Sequence, residues 1–339
     1  MLMLNKFKLL GFICITTIIH CPYVFAQMPT PQALFTQIGI NQKDIQLINQ
    51  GETVLFNVTS NIETELTAGV IIYVPATPIQ VSALIKKDGL ASLDPLAISG
   101  GVTPLNAFSL NTLNSFNFAQ GSTEEHDFLN ATPGEQFNFS PEEYQSIKAQ
   151  ASTQSLNASD IYRQLLWQRW QSYRHLGLKG IASYDRGNNR LINPGTDLTT
   201  AALAHDIASD YFPEVFKAWL NYPTANLPKG VEESYTWSNR LVQSRPSAIL
   251  THRFIISEPN GELILGRQFY SGHSFNVNQL TITCLPYRDG AILFYTNRNF
   301  TDQVIGFGSA LKHLIGNNLA QNQVVDLLKT LQQNFKNHR

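Results

Sequence analysis

Ala248-Ile-Leu-Thr-His-Arg-Phe-Ile-Ile-Ser257 runs through Glu258-Pro-Asn-Gly261 into Leu263-Ile-Leu-Gly-Arg-Gln-Phe-Tyr-Ser-Gly-His-Ser274. Two β-rich runs joined by a linker of Pro, Asn and Gly read as a hairpin, because those residues supply the turn conformations that branched side chains resist. Residues 277–285 and 291–299 repeat the pattern, connected by a tight Phe275-Asn276 turn and by Arg288-Asp289-Gly290. The four runs predict an antiparallel meander. Folding the first hairpin about Ser257 and Glu262 sets His252 beside Arg267. Strand parity then puts His273 on the same face, provided that no one-residue bulge intervenes.

Outward from the meander, both flanks take on shape. After Gly306, residues 309–335 place Leu311, Leu314, Ile315, Leu319, Val324, Leu328, Leu331 and Phe335 at three- and four-residue spacings, which predicts a long amphipathic last helix. Upstream, residues 53–59 and 68–74 read as strands, and the second is apolar throughout, as a strand buried on both faces would be. Pro75 and Pro78 introduce a short helix at 79–87, and residues 32–50 read as a helix stopped by Gly51. Between about 120 and 245 the character changes. Ser140-Pro-Glu-Glu is a helix start, and further helices are predicted at about 158–176, 197–209 and 212–221, so this stretch reads as a helical insertion.

The amino terminus predicts export. Lys6 and Lys8 precede an apolar run at 9–19, and Val24-Phe25-Ala26 ends in a small residue, the pattern of a signal peptide cleaved after Ala26. His20, Cys21 and Pro22 interrupt the run before it reaches the roughly 20 residues that a membrane span needs. The expected mature chain is one domain at 27–339, periplasmic or secreted. The 24 basic residues include Lys6 and Lys8, so cleavage leaves 22 against 25 acidic ones, a net charge near −3. Without a basic run, nucleic acid is not an expected partner. Cys14 and Cys21 leave with the peptide, and the remaining Cys284 has no partner for an internal disulfide.

Two strands, a helix, an insertion, a four-stranded meander and a long last helix resemble the element order of the START-like, or helix-grip, superfamily. The segment Val70-Ile-Ile-Tyr-Val-Pro-Ala-Thr-Pro-Ile-Gln-Val-Ser-Ala-Leu-Ile resembles that superfamily's opening strand and helix. The chain is also similar to a set of exported bacterial proteins of that superfamily. The matching patches are Tyr173 to Tyr184-Asp185, Thr251-His252, Phe269 to Phe275, and Asn297-Arg298 through Asp302 to Gly306. The resemblance implies an α+β fold in which a curved antiparallel sheet, closed by the long C-terminal helix, holds a lipid, sterol-like or polyketide-like ligand in a cavity. The insertion departs from the compact pattern.

Six residues are candidates for a ligand site: His252, Arg267, Tyr270, His273, Arg298 and Asp302. The histidines could form a polar pole that orients a head group or exchanges protons, or they could be buried and bonded to backbone. Arg298 and Asp302, four residues apart, could form an ion pair at the last corner. Alternatively, Arg298 could face the cavity mouth and take a carboxylate or phosphate. No His or Cys spacing supports a metal site, and no cofactor motif is present. Trp167, Trp170, Tyr173, Trp219, Tyr235 and Trp237 concentrate in the insertion, as core packing or as a lid whose outer face makes transient membrane contact.

Together these readings predict an exported carrier of an apolar small molecule, with no cofactor. Two other classes stay open. One is a cyclase or hydrolase on the same frame using His252 and His273, and the other is a protein-interaction module of the cell envelope.

Overall fold

The computed structural model describes residues 28–134, 136–153, 157–204, 207–224 and 226–337. The proposed signal peptide lies outside the described residues. Among those described, no helix is long and apolar enough to cross a membrane.

The chain is α+β. Its strands are β1 (Val54–Phe56), β2 (Glu65–Val74), β3 (Ala97–Pro104), β4 (Tyr184–Asp185), β5 (Leu191–Ile192), β6 (Val231–Val242), β7 (Arg245–Glu258), β8 (Gly261–Ser271), β9 (Val277–Tyr287) and β10 (Gly290–Phe300). Its helices are α1 (Pro31–Gln37), α2 (Gln42–Asn49), α3 (Pro78–Asp88), α4 (Thr123–Leu129), α5 (Pro141–Thr153), α6 (Ala158–Leu176), α7 (Pro194–Leu203), α8 (Ile207–Tyr211), α9 (Pro213–Leu220) and α10 (Ser309–Asn337). Eight strands form one open antiparallel sheet in the order β1-β2-β10-β9-β8-β7-β6-β3, and β4 and β5 form a separate ribbon.

The meander has five strands rather than four, because β6 pairs along its whole length with β7. The turn between them, Gln243-Ser244, has positive φ at both residues, as a tight hairpin with right-handed strand twist requires. β6 lies within the stretch read as helical insertion. Of its twelve residues only Tyr235 is buried, so its sequence lacks the apolar signal of its neighbours. The predicted helix at 32–50 is two helices, broken at Gly39 (φ 74°), with Asn41 capping the second. Likewise the helix predicted at 197–209 divides into α7 and α8.

Each face of the sheet carries its own core. On one face Leu250, Phe254, Leu265, Phe269, Leu285, Ile292 and Phe294 pack against residues such as Phe35 of α1, Tyr173 of α6, Leu198 of α7 and Trp219 of α9. On the other, Val70, Ile72, Ile255, Ile264, Ile282 and Leu293 pack against Val81 and Ile85 of α3 and Val324, Leu328 and Leu331 of α10. The last helix therefore closes one face, and the insertion closes the opposite one. α10 is uneven along its length: its second half supplies the buried residues, whereas Leu311, Leu314, Ile315 and Leu319 of its first half are 51–62% exposed. Phe307, just before it, is fully exposed.

Candidate functional site

The first hairpin has the register expected of it. Ser257 pairs with Glu262 and His252 with Arg267. A bulge follows: Thr251 pairs with Gln268 but Leu250 with Tyr270, so Phe269 is the extra residue and both aromatics enter the core under the insertion. Parity is broken there, and His273 leaves the strand to sit in the turn after β8.

His252 lies wholly buried within a ring of Tyr173, Trp219, Tyr222, Tyr235 and Phe254. Its Nε2 lies 3.0 Å from Glu233 Oε1 and its Nδ1 lies 2.9 Å from the Tyr173 hydroxyl. Arg267, also inaccessible, donates from Nη1 to the Tyr173 oxygen (3.2 Å) and from Nη2 to the Trp219 carbonyl (3.1 Å), and its guanidinium stacks 4.2 Å over the Trp219 ring. One proton arrangement accounts for every link of the chain, though Arg267 Nε is buried without a partner. Arg267 donates to Tyr173, Tyr173 donates to a neutral His252, and His252 donates from Nε2 to the Glu233 carboxylate. Burial pushes the His252 pKa down to about 4, against the pull of Glu233, which favours the cation. Burial alone would raise Glu233, but the hydrogen bonds and charge it meets at His252, Tyr222 and Arg174 together outweigh it, and the carboxyl is lowered. This chain ties the insertion to the sheet.

The other candidates are held as firmly. His273 is 3% exposed; its Nδ1 meets the Ser274 hydroxyl (2.6 Å) and its Nε2 the Pro246 carbonyl (3.1 Å). Tyr270 lies under the Arg169 guanidinium, 4.3 Å from its ring centre, and Arg169 pairs with Glu143. The expected Arg298–Asp302 pair is not formed. Arg298 extends across β2 to Glu65 (3.0 Å), and Asp302 is taken by Arg186 (3.1 Å) and Arg190. A four-residue spacing joins side chains on a helix, but Arg298 is on a strand and Asp302 is past its end. Hairpin pairing therefore joins His252 and Arg267, but it gathers neither His273 nor the Arg298 corner with them. Among the described residues no group of three His, Cys, Asp or Glu could hold a metal ion. Cys284 is buried in β9, and burial drives its thiol pKa far up, which leaves it unreactive.

A second polar group, absent from the candidates read from sequence, lies on the face that α10 covers. Thr251, Gln268, Asn278 and Asn299 stand side by side on β7, β8, β9 and β10, and Leu66 of β2 completes the row. Asn297 is two residues along β10 on the same face. Asn278 donates to Gln268 (3.1 Å), yet the side-chain oxygens of Asn278, Asn297 and Asn299 are all buried without a hydrogen-bond partner. α10 crosses the end of this row: a Cβ added to Gly316 would come within 2.8 Å of Leu66. The alternation Asn297-Arg-Asn299 carried the signal, but pairing it with Asn278 required the register.

Two depressions complete the surface. One, of about 300 Å³, lies where the end of α10 passes the start of α3 and is lined by residues including Ala76, Gln80 and Phe335. Another, of about 170 Å³, lies between α5 and α6. Beneath the second half of α10 the interface with the sheet is filled by side chains.

No family model, curated protein or solved structure matches this chain. Its function has to be read from these two faces of the sheet.

Proposed function

We propose that this chain is an exported binding protein of START-like kind that carries an apolar small molecule along the first half of α10. The observation behind the reading is the run Leu311, Leu314, Ile315 and Leu319, more than half exposed on a helix whose second half is buried, with Phe307 beside it. An apolar stripe in water at a fixed place on the fold is the usual mark of a surface that receives something apolar. Covering it would contribute roughly 25 cal/mol per Å² of apolar area removed from water.

The filled interface beneath Val324, Leu328 and Leu331 moves the proposed site from a closed chamber to the exposed apolar surface at the other end of the helix. Catalysis by His252 and His273 is disfavoured by their burial and by their separate partners, which leave no reacting atom within reach. Displacement of an environment-sensitive dye by medium-chain lipids should show binding to the full chain. A variant carrying Ile315→Gln and Leu319→Gln should lose about tenfold or more in affinity while melting near the parent temperature, since about 1.4 kcal/mol of lost apolar contact is tenfold. Unchanged affinity would refute the site.

A further inference from the structure

Asn278, Asn297 and Asn299 bring three unsatisfied carboxamide oxygens to one side of the sheet, although buried polar atoms are ordinarily paired. Asn278 is 7% exposed; Gln268, Asn297 and Asn299 are partly open to solvent. Thr236, Ser238, Thr251 and Leu280 around them carry no charge, and the arginines of the same face are held elsewhere, Arg253 by the Ile85 carbonyl and Ser234 and Arg240 by Asp94. Rotation about the terminal side-chain bond, a soft torsion in Asn, turns either the oxygen or the NH₂ of each amide toward the open side.

The geometry of α10 puts Ile315 and Leu319, the inner pair of the apolar stripe, on the flank beside this row. Gly316 faces Leu66, which pairs directly with Asn299. Asn317 accepts a hydrogen bond from the Thr67 amide (2.9 Å) and His313 meets the Glu63 carbonyl, both on the edge of β2 turned away from β10. At about 100° per residue, His313 and Asn317 lie roughly 60° and 100° round the helix from Gly316 on one side. Leu319 and Ile315 lie at roughly the same angles on the other side. The flank that carries these two residues therefore overhangs β10 and β9.

We infer that the amide row is the head-group half of a site for an uncharged, hydroxyl-bearing amphiphile, such as an acylglycerol or alkyl glycoside, whose tail lies against α10. Carboxamides both donate to and accept from hydroxyl groups, whereas the row offers no ion to neutralise a charged head. The cations of that face are already engaged: Arg253 by the Ile85 carbonyl and Ser234, Arg240 by Asp94, and Lys312 of α10 by the Ile305 carbonyl (3.0 Å). This inference rests on the reading of α10 as the apolar contact, and its test separates the two.

Binding of an apolar fluorescent dye to the full chain is measured first, then its displacement by monolauroylglycerol, laurate and dodecylamine, for the parent, Asn299→Leu and Asn297→Ala. Monolauroylglycerol should displace the dye best, and each variant should weaken it about fivefold to tenfold, the loss of one or two hydrogen bonds, with dye affinity within about twofold of the parent. Asn297→Ala, at a half-open position, keeps the test independent of any packing change at Asn299. Equal displacement by the charged amphiphiles, or variants that bind monolauroylglycerol as the parent does, would overturn the head-group inference alone. A parent chain that binds neither dye nor amphiphile would overturn the α10 reading, and this inference with it.

Discussion

Both faces of the sheet bury polar groups, but they connect them differently. Under the insertion, His252, Glu233, Tyr173 and Arg267 are linked in one hydrogen-bonded chain among stacked aromatic rings, with only Arg267 Nε in that chain left over. On the α10 face, Asn278, Asn297 and Asn299 leave their buried side-chain oxygens without a partner. Enclosed and satisfied polar groups fix how layers dock, because removing any one strands the others. Enclosed and unsatisfied ones destabilise the fold that carries them and are relieved by whatever supplies the missing partner.

The largest expected effect tests whether α10 is integral to its face. Truncation before Ser309 strips Val324, Leu328 and Leu331 from the core shared with Val70, Ile282 and Leu293, and should give insoluble or molten material. Cooperative unfolding of the truncated chain near the parent temperature would show that face to be self-sufficient.

Next comes the ion pair on the insertion side. Arg298→Ala leaves Glu65 almost fully buried without its cation, which should destabilise by about 3–5 kcal/mol. The double variant with Glu65→Gln should recover part of that loss. If Asp302→Asn were as costly to Arg298 as Glu65→Gln in a double-mutant cycle, the partner assignment would be wrong.

A pH titration probes the satisfied face more finely. His252 is held down to about 4 from its ordinary 6.5, so the unfolded chain takes up its proton first as pH falls. The neutral buried ring contributes its stability above pH 6.5, and this is lost between about 6.5 and 4, by roughly 3 kcal/mol. His273, also near 4, acts in the same direction, while Asp197, raised to about 6 by burial, stabilises as pH falls from 6 toward 4 and offsets part of it. His252→Gln should therefore be less stable at neutral pH yet show a shallower decline on acidification. A parallel decline in parent and variant would mean that the ring is hydrated and free to titrate.

The smallest effect should have the opposite sign. Asn299→Leu removes an unsatisfied amide and should be neutral or stabilising by up to about 1 kcal/mol, where the same kind of change at His252 is harmful. A loss of more than about 1 kcal/mol in chemical denaturation would reveal a partner for Asn299 and end the contrast.

Much of the fold was legible because the strands and helices obey their own periods. The hairpin chemistry at 258–261 gave the pairing of His252 with Arg267, and the spacings from Leu311 to Phe335 gave α10. β3 escaped because Ala-Ile-Ser-Gly-Gly-Val-Thr-Pro is an edge strand with a bulge, and β6 because its partly exposed, largely polar residues carry little apolar signal although it pairs on both sides. The site was harder. Parity tells which residues share a face but not which layer covers it, and β7 and β8 are apolar on both sides. His252 and Arg267 thus lie under the insertion rather than under α10, and Arg298 pairs across the sheet with a residue more than two hundred positions away.

The hydrogen bond from Thr67 to Asn317 has a consequence for the chain's behaviour in a crowd. β1 spans only three residues and covers β2 from Gly69 to Ile71, so the lower end of β2 would otherwise present bare amides, a template for another chain's strand. α10 caps that end with a side chain in place of a strand. Anything that lifts its first turns uncovers an adhesive backbone edge and an oily stripe together. The first turns of α10 thus guard the fold against self-association on two counts, and a looser helix would be penalised by clumping.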